Sequence, residues 1–197
     1  MKLYKKAITG LALAAASWSA DATAADIAVK TNLLYDATAS VNLGFEFGVG
    51  QQWSIDINGD VNFWNIDDKR WRHWFAQPEL RYWFCHRSIG HFMALQLHGG
   101  QYNIGNLGCD GFKFLGTDFR TLKDQRCQGW FAGAGIAYGY SVAFSAHWGM
   151  EFELGLGWAY SRYDSYPCAE CGKKQKSNAV HNYVGPTKLA VNLVYNF

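Results

Sequence analysis

Cysteine supplies the most reactive side chains of this chain, at Cys85, Cys109, Cys127, Cys168 and Cys171. Cys168-Ala169-Glu170-Cys171 is a C-x-x-C, a spacing that suits a redox pair, half of a zinc site or a loop clip. Structural zinc wants four ligands, and only His181 lies near this pair in sequence. Export to an oxidising compartment favours disulfides instead. The expectation is therefore loop disulfides among Cys109, Cys127, Cys168 and Cys171, with Cys109 and Cys127 able to staple the longest loop. Cys85 is left over as an odd thiol. No metal and no cofactor are expected.

A different chemistry needs a serine activated by a histidine that an acid orients. His86-Arg87-Ser88 brings a histidine and a serine close in sequence, and Ser145 and His147 stand two apart with Glu151 four residues further on. Residues two apart on a strand share a face, so Ser145 and His147 can meet. Lipid acyl hydrolysis is the reaction such a pair would serve. Short polar turns also produce such pairs by chance, so the pattern selects no catalytic residue.

The elements that carry these groups are strands. From Ser40 to Val49, the residues Val41, Leu43, Phe45, Phe47 and Val49 alternate with Asn42, Gly44, Glu46 and Gly48. Trp148, Met150, Phe152, Leu154, Leu156, Trp158 and Tyr160 alternate in the same way with glycine, glutamate and alanine. This is the period of a strand with one apolar face, whereas a helix would repeat at three and four residues. Eight such segments can be counted, at 27–35, 40–49, 53–64, 73–85, 91–104, 129–144, 146–162 and 184–197. Pro78 interrupts the fourth and predicts a bulge or a strand start there. Without a bulge, the pattern turns Phe75 and Trp83 inward.

Composition indicates which way the apolar faces point. The 197 residues are 17% aromatic and only 17% charged, with 21 glycines, whereas a soluble domain carries about a quarter charged residues. Lys2, Lys5 and Lys6 precede an apolar run from Ala7 to Ala16 and an A-x-A site at Ala22-Thr23-Ala24. This describes a secretory signal peptide over 1–24; the run is too short for the ~20 residues of a membrane-spanning helix. Its removal leaves fifteen basic against fifteen acidic residues over 25–197. A neutral chain gives no electrostatic footprint for nucleic acid.

These observations predict an all-β fold, an eight-stranded antiparallel up-and-down transmembrane β-barrel, with apolar rows toward lipid. Connections alternate short and long: 50–52, 86–90 and a turn near Ser145 against 65–72, 105–128 and 163–183. Outer-membrane barrels show such short periplasmic turns and longer outer loops. The short first connection, Asp36–Ala39, is the exception. Trp53, Trp64, Trp74, Tyr82, Trp130, Trp148, Trp158, Tyr160 and Tyr195 cluster near strand ends, as interfacial girdles require. A soluble sandwich or lipocalin-like barrel is the alternative, with the apolar rows inside. In the membrane arrangement the lumen receives Lys30, Glu46, Asp56, Asp60, Glu79, Arg81, Glu151, Glu153 and Lys188. Eight strands leave room only for side chains, so these charges must pair. A structural ion-pair plug is the expectation, and a proton path or narrow channel the alternative.

The chain ends Leu189-Ala190-Val191-Asn192-Leu193-Val194-Tyr195-Asn196-Phe197. With Leu189, Val191, Leu193, Tyr195 and Phe197 on one face, it resembles the C-terminal signal read by the barrel-assembly machinery. Lys30-Thr31-Asn32-Leu33-Leu34-Tyr35-Asp36, Gln77-Pro78-Glu79-Leu80-Arg81-Tyr82-Trp83-Phe84-Cys85 and Gly99-Gly100-Gln101-Tyr102-Asn103 resemble a family of small Gram-negative outer-membrane proteins catalogued as a domain of unknown function. Some members of that family occur beside fimbrillin-type pilus genes. The resemblance implies an outer-membrane location with periplasmic termini, lipid as surroundings and a surface fimbrial or adhesin protein as partner. It implies no active site. The functional expectation is a non-catalytic barrel with an envelope-structural or loop-mediated binding role; a barrel-embedded acyl hydrolase and a channel are the alternatives.

Overall fold

The structure, a computed structural model, describes residues 27–63, 65–66, 69–105, 113–114, 117–118, 125–167 and 173–197. The signal peptide expected over 1–24 lies outside the described residues, as do Trp64, Cys109, Cys168 and Cys171. The main strands are β1 (Ile27–Asn32), β2 (Val41–Gly48), β3 (Trp53–Asn62), β4 (Lys69–Trp83), β5 (Gly90–Gly105), β6 (Arg126–Ala143), β7 (Trp148–Tyr166) and β8 (Lys176–Asn196). A short helix, α1 (Leu33–Ala37), follows β1.

Every strand pairs antiparallel with its neighbours in sequence, and β1 closes the ring on β8 through Ala28↔Asn196 to Asn32↔Asn192. The fold is thus an up-and-down ring of eight antiparallel strands. One end is sealed by short turns, in which the Val49 amide donates to the Trp53 carbonyl and the Phe144 amide to the Trp148 carbonyl, each at 3.0 Å. Both described termini lie at this end, where the Phe197 amide donates to the Ile27 carbonyl at 3.0 Å. The long connections lie at the other.

The apolar rows face out. Leu95, Ile136 and Leu189 are each 58% exposed, whereas Asp56 and Arg81 are fully buried. The polar and glycine positions fill the interior, so the alternative arrangement with the apolar rows inside is not what this chain forms. Along β7 the outward apolar face runs from Trp148 to Trp158. At about 3.3 Å per residue and a tilt near 40°, that belt is roughly 25 Å tall. Rings gather at its two edges: Trp53 and Tyr82 (5.0 Å), Trp148 and Tyr195 (5.0 Å) and Tyr195 and Phe197 (5.0 Å) at the turn end, and Trp130 and Tyr160 (5.7 Å) at the other.

Three expectations need correction. Leu33, Leu34 and Tyr35 are helical rather than the end of the first strand. Asn32 stops the strand, because its side-chain oxygen accepts from the Leu34 amide at 3.1 Å and caps the turn. Secondly, Pro78 makes no bulge: β3 and β4 stay in register through Ile57↔Pro78, and the β4–β5 ladder resumes unshifted at Glu79↔Gln96 beyond Gln77 and Pro78. Phe75 and Trp83 therefore do point inward, and Trp83 is completely buried. The β7–β8 ladder has two register shifts, one between Tyr163 and Ser165 and one at the other strand proline, where Gly155↔Lys188 is followed by Leu156↔Pro186. A bulge moves the parity by one, which lets Val184 and Leu189 both face out while Lys188 faces in. Thirdly, β8 starts at Lys176, so the expected loop 163–183 shrinks to a connection between Tyr166 and Lys176.

Candidate functional site

Alternation delivers the charges to the lumen, and strand pairing decides which of them meet. Lys30 on β1 reaches Glu46 on β2, Asp56 on β3 at 2.9 Å and Glu151 on β7 at 2.8 Å. Arg81 on β4 occupies the centre. One terminal nitrogen lies 2.9 Å from Asp56 and 3.1 Å from both Glu46 and Glu151, and the other lies 3.0 Å from Glu79 and 2.9 Å from Glu153. Lys188 on β8 binds Glu79 at 2.5 Å and Glu153 at 2.9 Å. Eight of the nine expected lumen charges thus form one connected network, and all eight are buried.

Asp60 stands apart from it. Its carboxylate lies 2.6 Å from His73 Nε2, a partner the sequence reading passed over. Counting inward positions back from Arg81 through Glu79, Gln77 and Phe75 arrives at His73, so parity alone would have found it. With Asp60 paired elsewhere, the central network holds five carboxylates against three cations. Neutral groups extend it: the Asn58 amide donates to Asp56 at 2.7 Å, and the Asn192 amide reaches Glu151 at 3.5 Å.

Three of the carboxylates, Glu46, Asp56 and Glu151, bring oxygens within 4.8 Å of one another, a spacing that suits a cation. The Lys30 ammonium and one Arg81 nitrogen already contact all three groups. The cage is built around the protein's own cations.

Toward the turn end the network rests on apolar packing. Arg81 Cζ lies 4.7 Å over the Phe92 ring, Phe92 packs on Trp83 with centroids 4.6 Å apart, and the Trp83 indole donates to Ser54 Oγ at 2.9 Å. Gly139 makes room for this layer, since a Cβ there would sit 2.2 Å from Phe92 Cζ. Toward the loop end, the Gln77 amide donates to Gln96 at 2.7 Å and Gln96 donates to Thr187 at 2.5 Å. Beside this layer is a cavity of ≈ 10 Å³ lined by Tyr35, Asp60, Phe75 and Lys188 among others, about the space of one water.

The serine–histidine pairs do not assemble into a catalytic unit. Ser145 Oγ accepts from the Trp148 amide at 2.9 Å, while His147 Nδ1 is held 2.9 Å from the Asn196 carbonyl. Glu151 is committed to Lys30 and Arg81 inside the barrel. Ser88 has a positive φ of 64° in the turn and offers its carbonyl to Ser141. Cys85 is an exposed free thiol at that turn, and Cys127 is a buried free thiol near the loop end of β6.

Leu189, Val191, Leu193 and Tyr195, which the sequence suggested as an assembly signal together with Phe197, occupy the outer face of β8, which pairs with β1 and β7, and Phe197 directly follows that strand. Above the outer belt, Asp164 near the end of β7 accepts from Lys174 at 2.7 Å and from the Asn178 amide at 2.8 Å. The Lys174 hydrogen bond, followed by that of the amide, holds the exposed carboxyl below its ordinary range.

A family model described as "Protein of unknown function (DUF3575)" matches residues 9–197. No curated protein and no solved structure matches the chain.

Proposed function

The chain belongs to that family of proteins of unknown function, and we propose that it is a sealed outer-membrane scaffold that presents its loop end to a partner. The observation that carries this reading is the inversion of faces: an apolar belt exposed all round and a lumen filled by buried ion pairs. Only helices and closed barrels can satisfy their backbone groups in lipid, and a belt near 25 Å with aromatic edges fits a bilayer. The short turns and both described termini then lie on the periplasmic side, and the long connections on the cell surface of a Gram-negative bacterium. Lipid surrounds the belt, the barrel-assembly machinery reads the last strand, and a surface fimbrial or adhesin subunit is the partner class for the loops.

The lumen argues for a scaffold rather than a channel. An ion travelling along the axis would meet Trp83 on Phe92, then the Arg81 network, then Gln77 on Gln96. Each of these layers is closed by direct side-chain contacts that a passing ion would have to break. The disposition of Ser145 and His147 likewise gives an acyl hydrolase no activated nucleophile at that turn.

Membrane fractionation with gel migration before and after boiling tests the reading. The expected result is protein in the outer membrane that runs faster unheated, with no steady conductance in planar bilayers. Soluble periplasmic protein whose migration ignores boiling overturns the membrane assignment, and steady single-channel currents overturn the sealed scaffold.

A further inference from the structure

The outer face of the barrel carries a second feature, at the loop-end edge of the belt. A groove of ≈ 330 Å³ opens there between β5, β6, β7 and the start of β8. Gln101, Trp130 and Arg162 form one outward row across three strands, and Gln128 pairs with Asp164 in the row above. Asn178, at a φ of 53°, closes the far side. Arg162 is exposed, one cross-strand step from Trp130, whose ring packs on Tyr160 at 5.7 Å. The groove thus offers a guanidinium and three side-chain amides just above an aromatic edge. Its one carboxylate, Asp164, is already matched by Lys174 at 2.7 Å and the backbone N–H of Asn178.

Directly below, the belt becomes shallow. Ala76, Gly99 and Ala132 follow one another on adjacent strands, and Ala134 lies one outward position below Ala132. Trp74 and Trp130 stand above this trough, with Leu97 and Trp158 below it. Elsewhere the same belt carries Leu95, Ile136, Leu154 and Leu156. A polar groove with a cationic donor, continuous with a trough in an apolar surface, has the shape of one lipid molecule.

We propose that this groove and trough hold one phosphorylated outer-leaflet glycolipid. Its phosphate sits on Arg162 and on the amides of Gln101, Gln128 and Asn178, and an acyl chain runs over Ala76, Gly99 and Ala132. Arginine suits a phosphate because its planar fork donates two parallel hydrogen bonds. The inference rests on the outer-membrane reading and names a ligand for it.

The test uses the full mature chain in phosphatidylcholine nanodiscs doped with a bisphosphorylated diglucosamine acyl lipid, or with the same lipid stripped of phosphate. Native mass spectrometry counts the lipid retained. One phosphorylated lipid should be kept, with an affinity at least about tenfold above the stripped form. Arg162→Glu should abolish that preference, and Arg162→Lys should keep part of it. Ala132→Trp, which fills the trough, should weaken both lipids, and Arg87→Glu at the opposite end should change nothing. Equal retention of the two lipids, an unaltered preference in Arg162→Glu, or its loss in Arg87→Glu would each overturn the site while leaving the barrel inserted. A chain that never enters the nanodisc overturns the membrane reading, and this site with it.

Discussion

The barrel has a short wall and a tall wall. β1, β2 and β3 run for 6, 8 and 10 residues, whereas β4 to β8 run for 15 to 21. The short wall ends under α1 and supplies Lys30, Glu46 and Asp56 to the lumen. The tall wall supplies Arg81, Glu151, Glu153 and Lys188, and then continues past the belt to the Asp164–Lys174 corner and the outward groove. In the lower barrel both walls are bound together by charge that nothing else can satisfy. In the upper part the tall wall stands with its own contacts in water. Buried charge pairing is concentrated where the walls meet, and the groove proposed to hold a lipid lies where only one of them remains.

The sharpest way to break this arrangement is Arg81→Met. It leaves five carboxylates facing two lysines in a dry interior, and breaking buried pairs of this kind costs about 3–5 kcal/mol. The midpoint of the heat-modified gel shift, or of urea unfolding in detergent, should fall by the corresponding amount. An unchanged midpoint would show that the walls are held by their backbone ladders alone. Gly139→Ala comes next, because its new Cβ would press on Phe92 and overpacking costs about 1–3 kcal/mol. Adding Phe92→Leu should recover part of that loss in the same assay.

Asn32→Ala confines the damage to the seam where the short wall meets β8. The cap on α1 disappears, together with the hydrogen bond Asn32 donates to the Leu189 carbonyl and the one its side-chain oxygen accepts from the Val191 amide. A loss of about 1 kcal/mol is expected, with faster amide exchange over α1 and no change at the tall rim. The smallest effect belongs to Asp164. Its folded carboxyl is depressed, first by Lys174 and then by the Asn178 amide, so its contribution is present above the ordinary carboxylate range and is lost as the pH falls through the lower folded value. The Asn178 amide resonance should move across that acidic window while the unfolding midpoint of the whole barrel does not follow it. In Asp164→Asn this titration should vanish. A parallel shift of the global midpoint would mean that the tall rim belongs to the cooperative core.

Much of the fold was legible because alternation is a local property. Val41 to Val49 and Trp148 to Tyr160 announce their apolar faces residue by residue, and the shortage of soluble-surface charge points those faces outward. The same parity placed Lys30, Glu79, Arg81 and Glu151 inside. Parity does not carry across a bulge, where one residue resets the count, as between Pro186 and Lys188. It also missed α1, because Leu33-Leu34-Tyr35 is apolar enough to pass for strand while the Asn32 side chain turns the backbone into a helix.

The amino-acid sequence by itself determined the strand period, the number of main strands and the inward side of each, because these follow from the order of side chains along one strand. The tertiary structure alone decided the partnerships. Arg81 meets carboxylates from β2, β3, β4 and β7, Asp60 turns to His73, and Gly139 receives Phe92, because register and ring closure bring residues far apart in sequence to one level of the lumen. Local periodicity fixes the face on which a side chain lies, and only closure of the ring fixes what it finds there.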